Sequence, residues 1–416
     1  VRRRGLLSAA LAAPSALAQP LAGAARARVV VVGGGFGGAT CARALHRAGF
    51  GVMLVEASPT YTACPFSNAV IAGLREMEGQ RFGYQAIRRE GVAVLHARAT
   101  GVDGTARRLF TEDGTALPYD RLVLAPGIAP RLDAIPGYDA AAAEGLPHAW
   151  QAGAQTLLLR RQLEAMEDGG TVILTVPPNP YRCPPGPYER ASLVAYYLKT
   201  RKPRSKLIVL DAKDSFSKQR LFEAAWAALY PGLLEYVPLS AGGGVTSVDA
   251  GERTVSTDFG DHRGEVINVI PPQRAAPVAA VAGAADRSGW CPIDPVTFES
   301  RLVPGIHVIG DAAIGGAVPK SAFAANAQGR VCAAAVAALL RGEEPAEPRL
   351  VNTCYSLVAP DYGISVAGVY RPRNGLLADI EGAGGTSALD APAETRALEA
   401  AYAADWFRTV TEDVFA

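Results

Sequence analysis

The chain is short of the features that commit a protein to metal, haem or nucleic acid. Six cysteines stand among 416 residues, at 41, 64, 183, 291, 332 and 354. No pair is spaced CxxC and none clusters with histidine, so neither structural zinc nor an iron–sulfur centre is suggested, and no metal site is expected. CxxCH is also missing, so the chain carries no c-type haem signature. None of the five histidines sits in a motif that marks a general base. With 41 basic against 40 acidic residues there is no charge excess to hold a nucleic acid, and the runs Arg2–Arg4 and Arg201–Lys206 are too isolated to form a binding face. After Pro345 the chain lacks the long hydrophobic, basic-flanked helices expected of a strong membrane anchor, and none is expected.

What is present starts with VRRRGLLSAALAAPSALAQP, a basic stretch, a short apolar run and Ala16-Leu17-Ala18. The pattern predicts an export signal over residues 1–18 of the twin-arginine type, and hence a periplasmic protein. Residues 28–56, RVVVVGGGFGGATCARALHRAGFGVMLVE, follow. A buried β run ends at Val32, Gly33, Gly35 and Gly38 give the GxGxxG spacing, a helix follows, and a second strand ends at Glu56. Glycine lets the backbone approach a pyrophosphate, the helix start offers free amides, and Glu56 is placed to accept from a ribose hydroxyl. Two later segments favour FAD over NAD. YDRLVLAPGIAP (119–130) reads as a strand with a glycine turn, with Pro126 at a more usually threonine-like position. GIHVIGDAAIGGAVPKSAFAANAQGRVCAAAVAALL (305–340) places Gly310 and Asp311 after a strand, with a helix starting around Lys320 or Ser321. Asp311 suits the ribityl or phosphate side of a flavin, and Lys320 suits negative charge on it, unless solvent takes it.

A second α/β unit starts at GGTVILTVP (169–177), but its glycine turn is replaced by PPNPYRCPPGPYERA (177–191). Proline removes amide donors, so a nicotinamide dinucleotide loses its cradle, and Lys213 and Lys218 do not restore it. The expected fold is α/β, two Rossmann-like three-layer domains of the glutathione-reductase type plus a C-terminal α+β cap or interface domain. The divisions are 26–146 (first FAD part), 147–265 (second nucleotide-like domain), 266–345 (second FAD part) and 346–416. In the last, Leu398, Ala401 and Trp406 are core candidates on an amphipathic helix.

By residue type alone, Cys64 in YTACPFSN can be core, a metal ligand, half of a disulfide or an attachment point for the cofactor. Cys41 and Cys332 read as helix core, and Cys291 as packed or chemical. His262 and His307 are candidate pocket or packing residues. Trp290, Pro271 and Pro272 are candidates to shape the flavin pocket. Glu189 is a proton-transfer candidate, with a salt bridge or helix start as the alternative.

Taken together, VVVGGGFGG, YTACPFSN, PPNPYRCPPGPYERA, INVIPPQRA, GWCPIDPVTFES, the 305–329 stretch and NTCYS resemble the flavoprotein subunit of flavocytochrome c sulfide dehydrogenase, over nearly the whole chain. The resemblance implies hydrosulfide as substrate, FAD bound covalently through Cys64, and a partner chain carrying haem c. It also implies a redox disulfide between Cys183 and Cys354, for which a purely structural disulfide is the alternative. A sulfide:quinone oxidoreductase and an exported FAD electron-transfer protein without efficient sulfide turnover are the competing functions.

Overall fold

The computed structural model describes residues 27–416; the expected export signal lies outside the described residues. Four hydrophobic runs, β1 (Arg28–Val32), β2 (Gly51–Val55), β3 (Ala93–Leu95) and β4 (Arg121–Leu124), join a strand from far along the chain, Ile306–Val308. Their order is Ile306–Val308, β4, β1, β2, β3, and every pairing is parallel. The helix α1 (Phe36–Arg47) connects β1 to β2. Strands covered on both faces need no polar alternation, which is why VVVV serves as β1. An antiparallel three-stranded excursion, 99–118, leaves this unit before β4.

The second unit repeats the plan with β5 (Thr171–Val176), β6 (Lys206–Asp211), β7 (Leu234–Val237) and β8 (Val266–Val269), in the parallel order β7-β6-β5-β8. Its crossover helix α2 (Gly186–Arg201) takes Pro187 in the first turn, where no amide is missed. One boundary needs correcting. The sequence places 266 at the start of the second FAD part, but β8 pairs with β5, Val172 opposite Val266, and so belongs to the second unit.

The helix α3 (Ala322–Arg341) then returns to the first unit. Ser321 caps it, its hydroxyl accepting from the Ala324 amide at 3.0 Å. This helix lies tightly against α1: a Cβ on Gly329 would sit 2.4 Å from the Gly37 carbonyl oxygen. By length and composition α3 is also apolar enough to cross a membrane, but that character is spent on α1, with Cys41 and Cys332 both fully buried.

The C-terminal unit is an antiparallel sheet of β9 (Leu350–Ala359), β10 (Tyr362–Arg373) and Leu376–Asp379, with the helix α4 (Ala393–Phe415) across it. The buried stripe of α4 is Arg396, Ala400, Ala403, Phe407, Val410 and Val414. The expected core residues Leu398 and Ala401 are exposed and Trp406 is half-buried. An alanine-rich helix offers no strong apolar contrast to set its phase, and tertiary packing chose a stripe a fraction of a turn away. The end of α4 carries Phe415 onto Tyr61 and Phe82, with ring centroids 5.3 and 5.2 Å apart. This closes the C-terminal unit over the first.

Candidate functional site

All three units converge on one cavity of about 370 Å³, a volume within the range of small-molecule sites. Its first wall is the turn after β1. Gly33 has a left-handed φ of +96° and Gly35 precedes α1, so the turn is tight, and both glycines line the cavity. Gly38 does not line the cavity. A Cβ there would fall 1.8 Å from the Gly33 carbonyl oxygen, so its absence lets α1 start where it does. Glu56 closes the turn, accepting from the Gly34 amide at 2.7 Å and the Ser58 amide at 3.0 Å. Glu56 also lines the cavity.

The second wall comes from the far end of the split unit. Gly310 and Asp311 both line the cavity, and Gly310 donates to Gln328 Oε1 at 2.7 Å. Asp311 Oδ1 is buried without a hydrogen-bond partner, and burial raises the acid's pKa against the opposing charges of Arg182 and Lys320. A buried polar atom without a partner is costly, so this one marks a place for a ligand that donates. With the glycine turn opposite, that is the donor and acceptor pattern of a dinucleotide's ribityl and pyrophosphate parts, and the residues fit FAD.

Lys320 departs from expectation. It does not line the cavity; its ammonium donates to the Asp311 and Ala313 carbonyls at 2.7 and 2.8 Å and lies 3.9 Å over the Trp290 ring. It therefore shapes the Gly310–Ala312 turn from behind, and burial brings its pKa down to about 8. Trp290, Pro271 and Pro272 are likewise absent from the lining. His307 is core, its Nδ1 2.9 Å from the Thr297 carbonyl, with burial lowering its pKa to about 4. His262 sits on the antiparallel strand Gly260–Arg263, away from the cavity. Cys291 is buried in a short strand paired with Ala313.

The third wall carries the sulfur. Cys64, Cys183 and Cys354 line the same cavity, from the segment after Thr60–Thr62, the loop before α2 and the middle of β9. All six cysteines are free thiols here, so the expected Cys183–Cys354 bond is open in this structure. The proline loop holds Cys183 at a left-handed φ of +57°, its amide donating to the Lys320 carbonyl at 2.7 Å. Gly186 makes room for it: a Cβ there would be 2.9 Å from Cys183 Sγ. Burial pushes the Cys183 thiol up, with Cys354 next among the causes. Glu189 is in the lining as well, and both its oxygens are engaged, by the Asn68 amide at 2.7 Å and the Leu357 backbone amide at 2.9 Å. Burial raises its pKa against those donors.

Several site residues had gone unassigned. Arg182 and Arg190 line the cavity within the proline loop and α2. Arg190 is 2% exposed and donates to Asn68, His148, Ala149 and Asn268; burial brings it to about 9. The signal was two arginines in a segment otherwise made of proline, glycine and aromatics. Phe323 and Trp406, stacked at 5.8 Å and 13°, line the cavity from α3 and α4. Sequence separation hid that pair. In the second unit, Asp211 ends β6 where a dinucleotide's ribose would be read, but it is fully buried and taken up by Tyr188 at 2.6 Å, Lys213 at 2.5 Å and Tyr236 at 3.2 Å. Phe216 stacks on Tyr188 at 3.6 Å. The cleft that would take NAD(P)H is filled by side chains.

Known proteins agree with this arrangement. Residues 156–271 match the family described as sulfide dehydrogenase (flavocytochrome c) flavoprotein chain, central, and residues 346–415 match flavocytochrome c sulphide dehydrogenase, flavin-binding. Residues 27–163 match the pyridine nucleotide-disulphide oxidoreductase family. Over 45 residues the chain is 56% identical to the sulfide dehydrogenase (flavocytochrome c) flavoprotein chain of Chlorobaculum thiosulfatiphilum, covering 10% of this chain and 94% of that one. It is 31% identical over 119 residues to "Probable ferredoxin reductase CtmF" of Castellaniella defragrans, covering 27% of this chain and only 29% of that protein's length. The sulfide:quinone oxidoreductase structure from Aquifex aeolicus superposes with a TM-score of 0.72 at 16% identity, covering 93% of this chain and 92% of that one. At that identity the likeness establishes the fold alone.

Proposed function

Because the chain belongs to the flavoprotein family of flavocytochrome c sulfide dehydrogenase, we propose that it oxidises hydrosulfide to sulfur or polysulfide through Cys183, Cys354 and FAD, and passes the electrons to a c-type cytochrome. The observation that carries this reading is the convergence of Cys183 and Cys354, from two separate units, on the cavity that Gly33, Glu56 and Asp311 also line. When bound there, FAD would supply a two-electron acceptor that releases electrons one at a time. The protein's part is to hold the two sulfurs together and exchange their bond with an incoming sulfur nucleophile. Glu189 faces that space and is the candidate to hold a proton taken from the substrate.

Cys64 is proposed as the covalent anchor for FAD, supported by its place in the cavity wall. Intact and peptide masses of the denatured protein test it: the FAD mass is expected on the Cys64 peptide and absent from C64S, whose flavin should dissociate on denaturation. FAD released from the wild-type protein would sink the anchor while leaving the fold untouched.

The cytochrome acceptor rests on family membership and on the stacked Phe323–Trp406 pair, whose rings both line the cavity and are both only half-buried. Stopped-flow separates the two half-reactions. W406A is expected to slow electron delivery to cytochrome c about tenfold more than it slows flavin reduction by hydrosulfide. Equal slowing of both would move the exit elsewhere. Rapid turnover with a soluble quinone and none with cytochrome c would instead favour a sulfide:quinone oxidoreductase. Flavin reduction by a protein donor but not by hydrosulfide would favour an electron-transfer protein. With the second cleft filled, NADH is expected to leave the flavin oxidised. Export to the periplasm is part of the proposal and is tested by locating the mature protein and sequencing its N-terminus.

A further inference from the structure

The strongest unused group is Lys218. It sits at a left-handed φ of +64° just before the helix Gln219–Leu229, and it is 9% exposed. Its ammonium donates to the Cys354 carbonyl at 2.9 Å, Ser356 Oγ at 2.8 Å and the Ile364 carbonyl at 3.4 Å. All three are neutral oxygens. A buried cation held only by neutral acceptors is expensive unless an anion forms beside it. Burial lowers its pKa to about 8, and Cys354 heads the groups that pull it back up, ahead of Glu189, Cys183 and Glu399.

The two sulfurs are unlike. Cys354 Sγ accepts a hydrogen bond from Asn352 Nδ2 at 3.2 Å, and the amide is fixed in that orientation because its Oδ1 accepts from Ser321 Oγ at 2.6 Å. Burial raises the Cys354 thiol, but the Asn352 amide and the Lys218 charge both act to lower it. Cys183 has no such donor on its sulfur among the described residues; burial, Cys354 and Glu189 all raise its thiol, opposed by the charges of Arg182 and Lys218. Cys183 is also the less buried of the two. The leaving sulfur in an exchange is the one whose thiolate is better stabilised.

We propose that hydrosulfide attacks Cys183 Sγ and that Cys354 leaves as the thiolate, with Asn352 and Lys218 as the positioning residues that hold its charge. This deepens the sulfide-oxidising reading and rests on it. In the step, a lone pair of hydrosulfide forms a new S–S bond to Cys183 while the Cys183–Cys354 bond breaks. The electron pair of the broken bond stays on Cys354 Sγ and the proton stays on the terminal sulfur. The incoming sulfur is oxidised as that of Cys354 is reduced, and charge balances with one anion on each side.

The test uses the FAD-loaded protein with its disulfide formed. It is mixed anaerobically with equimolar sodium hydrosulfide and quenched during the first turnover, the thiols and persulfides are trapped by alkylation, and the peptides are mapped by mass. The extra sulfur is expected on the Cys183 peptide, with Cys354 alkylated directly. Extra sulfur on Cys354 with Cys183 directly alkylated overturns the assignment and leaves the sulfide-oxidising reading standing. Extra sulfur on neither cysteine overturns both. K218M is expected to slow persulfide formation about a hundredfold, as loss of a buried charge-stabilising donor does, and to spread the extra sulfur over both cysteines. K218R should recover most of the rate and the selectivity. A K218M protein with wild-type rate and selectivity removes Lys218 from the proposal. If K218M fails to fold, the wild-type map still decides which sulfur is attacked.

Discussion

Replacing either Cys183 or Cys354 with serine is expected to cut hydrosulfide-driven flavin reduction by on the order of a thousandfold or more, the scale seen when one member of a reacting unit is removed. Dithionite should still bleach the flavin in both variants. The reasoning is that neither sulfur has a substitute. Cys183 is fixed at a left-handed position by the Lys320 carbonyl and the space over Gly186, and Cys354 is fixed by strand pairing opposite Val366. Cys64 lines the same cavity but, under the proposed function, is committed to the cofactor. The measurement is anaerobic stopped-flow of each variant with hydrosulfide, with dithionite as the control. A variant that reduces its flavin at the wild-type rate would show that hydrosulfide reacts directly at the cofactor, and the two cysteines would then be a structural pair.

Gly38→Ala carries the second large expectation, and it concerns the cradle rather than the sulfur. The added methyl would lie 1.8 Å from the Gly33 carbonyl oxygen and 3.1 Å from the Ala125 side chain. Backbone on backbone cannot relax as a flexible side chain would, so α1 must shift away from β1. Overpacking of this kind costs about 3 kcal/mol or more, the upper end of the usual range. The shift also withdraws the helix start from the position at which it would meet a pyrophosphate. The G38A protein is expected to purify with little or no flavin and with a melting temperature several degrees lower, or to be insoluble. Flavin content per chain and a thermal melt check this. Full flavin occupancy and an unchanged melt would show that the α1 start is softer than its packing implies. Gly127, by contrast, has nothing within 4 Å of a built Cβ, so the steric part of the G38A effect should be missing there.

Much of the molecule was legible because its signals are local. VVVV followed by GxGxxG, a helix and a strand ending in Glu56 is a chain of short-range requirements, each met within a few residues, and it forms as read. The same holds for the helix that starts around Ser321 and for the strand β5. The degenerate second unit was legible through its prolines, although the way in which Asp211 and Phe216 fill the cleft was not. The phase of α4 was misjudged because small residues on every side leave the periodicity weak. Lys320 was read as facing the flavin because it stands at the helix start that follows Gly310 and Asp311 in sequence. Here it folds back onto two carbonyls and a tryptophan.

By itself, then, the sequence determined the type of fold, the position of the dinucleotide cradle, the loss of its second copy, and the cysteines worth following. These depend on backbone freedom, hydrophobic runs and motif identity, all of which are written in neighbouring residues. Only the tertiary structure decided which distant groups share a cavity and what each sulfur faces. Asn352, Ser321, Lys218 and Glu189 reach Cys354 and Cys183 from four different elements, and burial then sets the cost of every charge among them. That cost depends on which atoms have displaced water, a property of the packed chain that no single stretch of it contains.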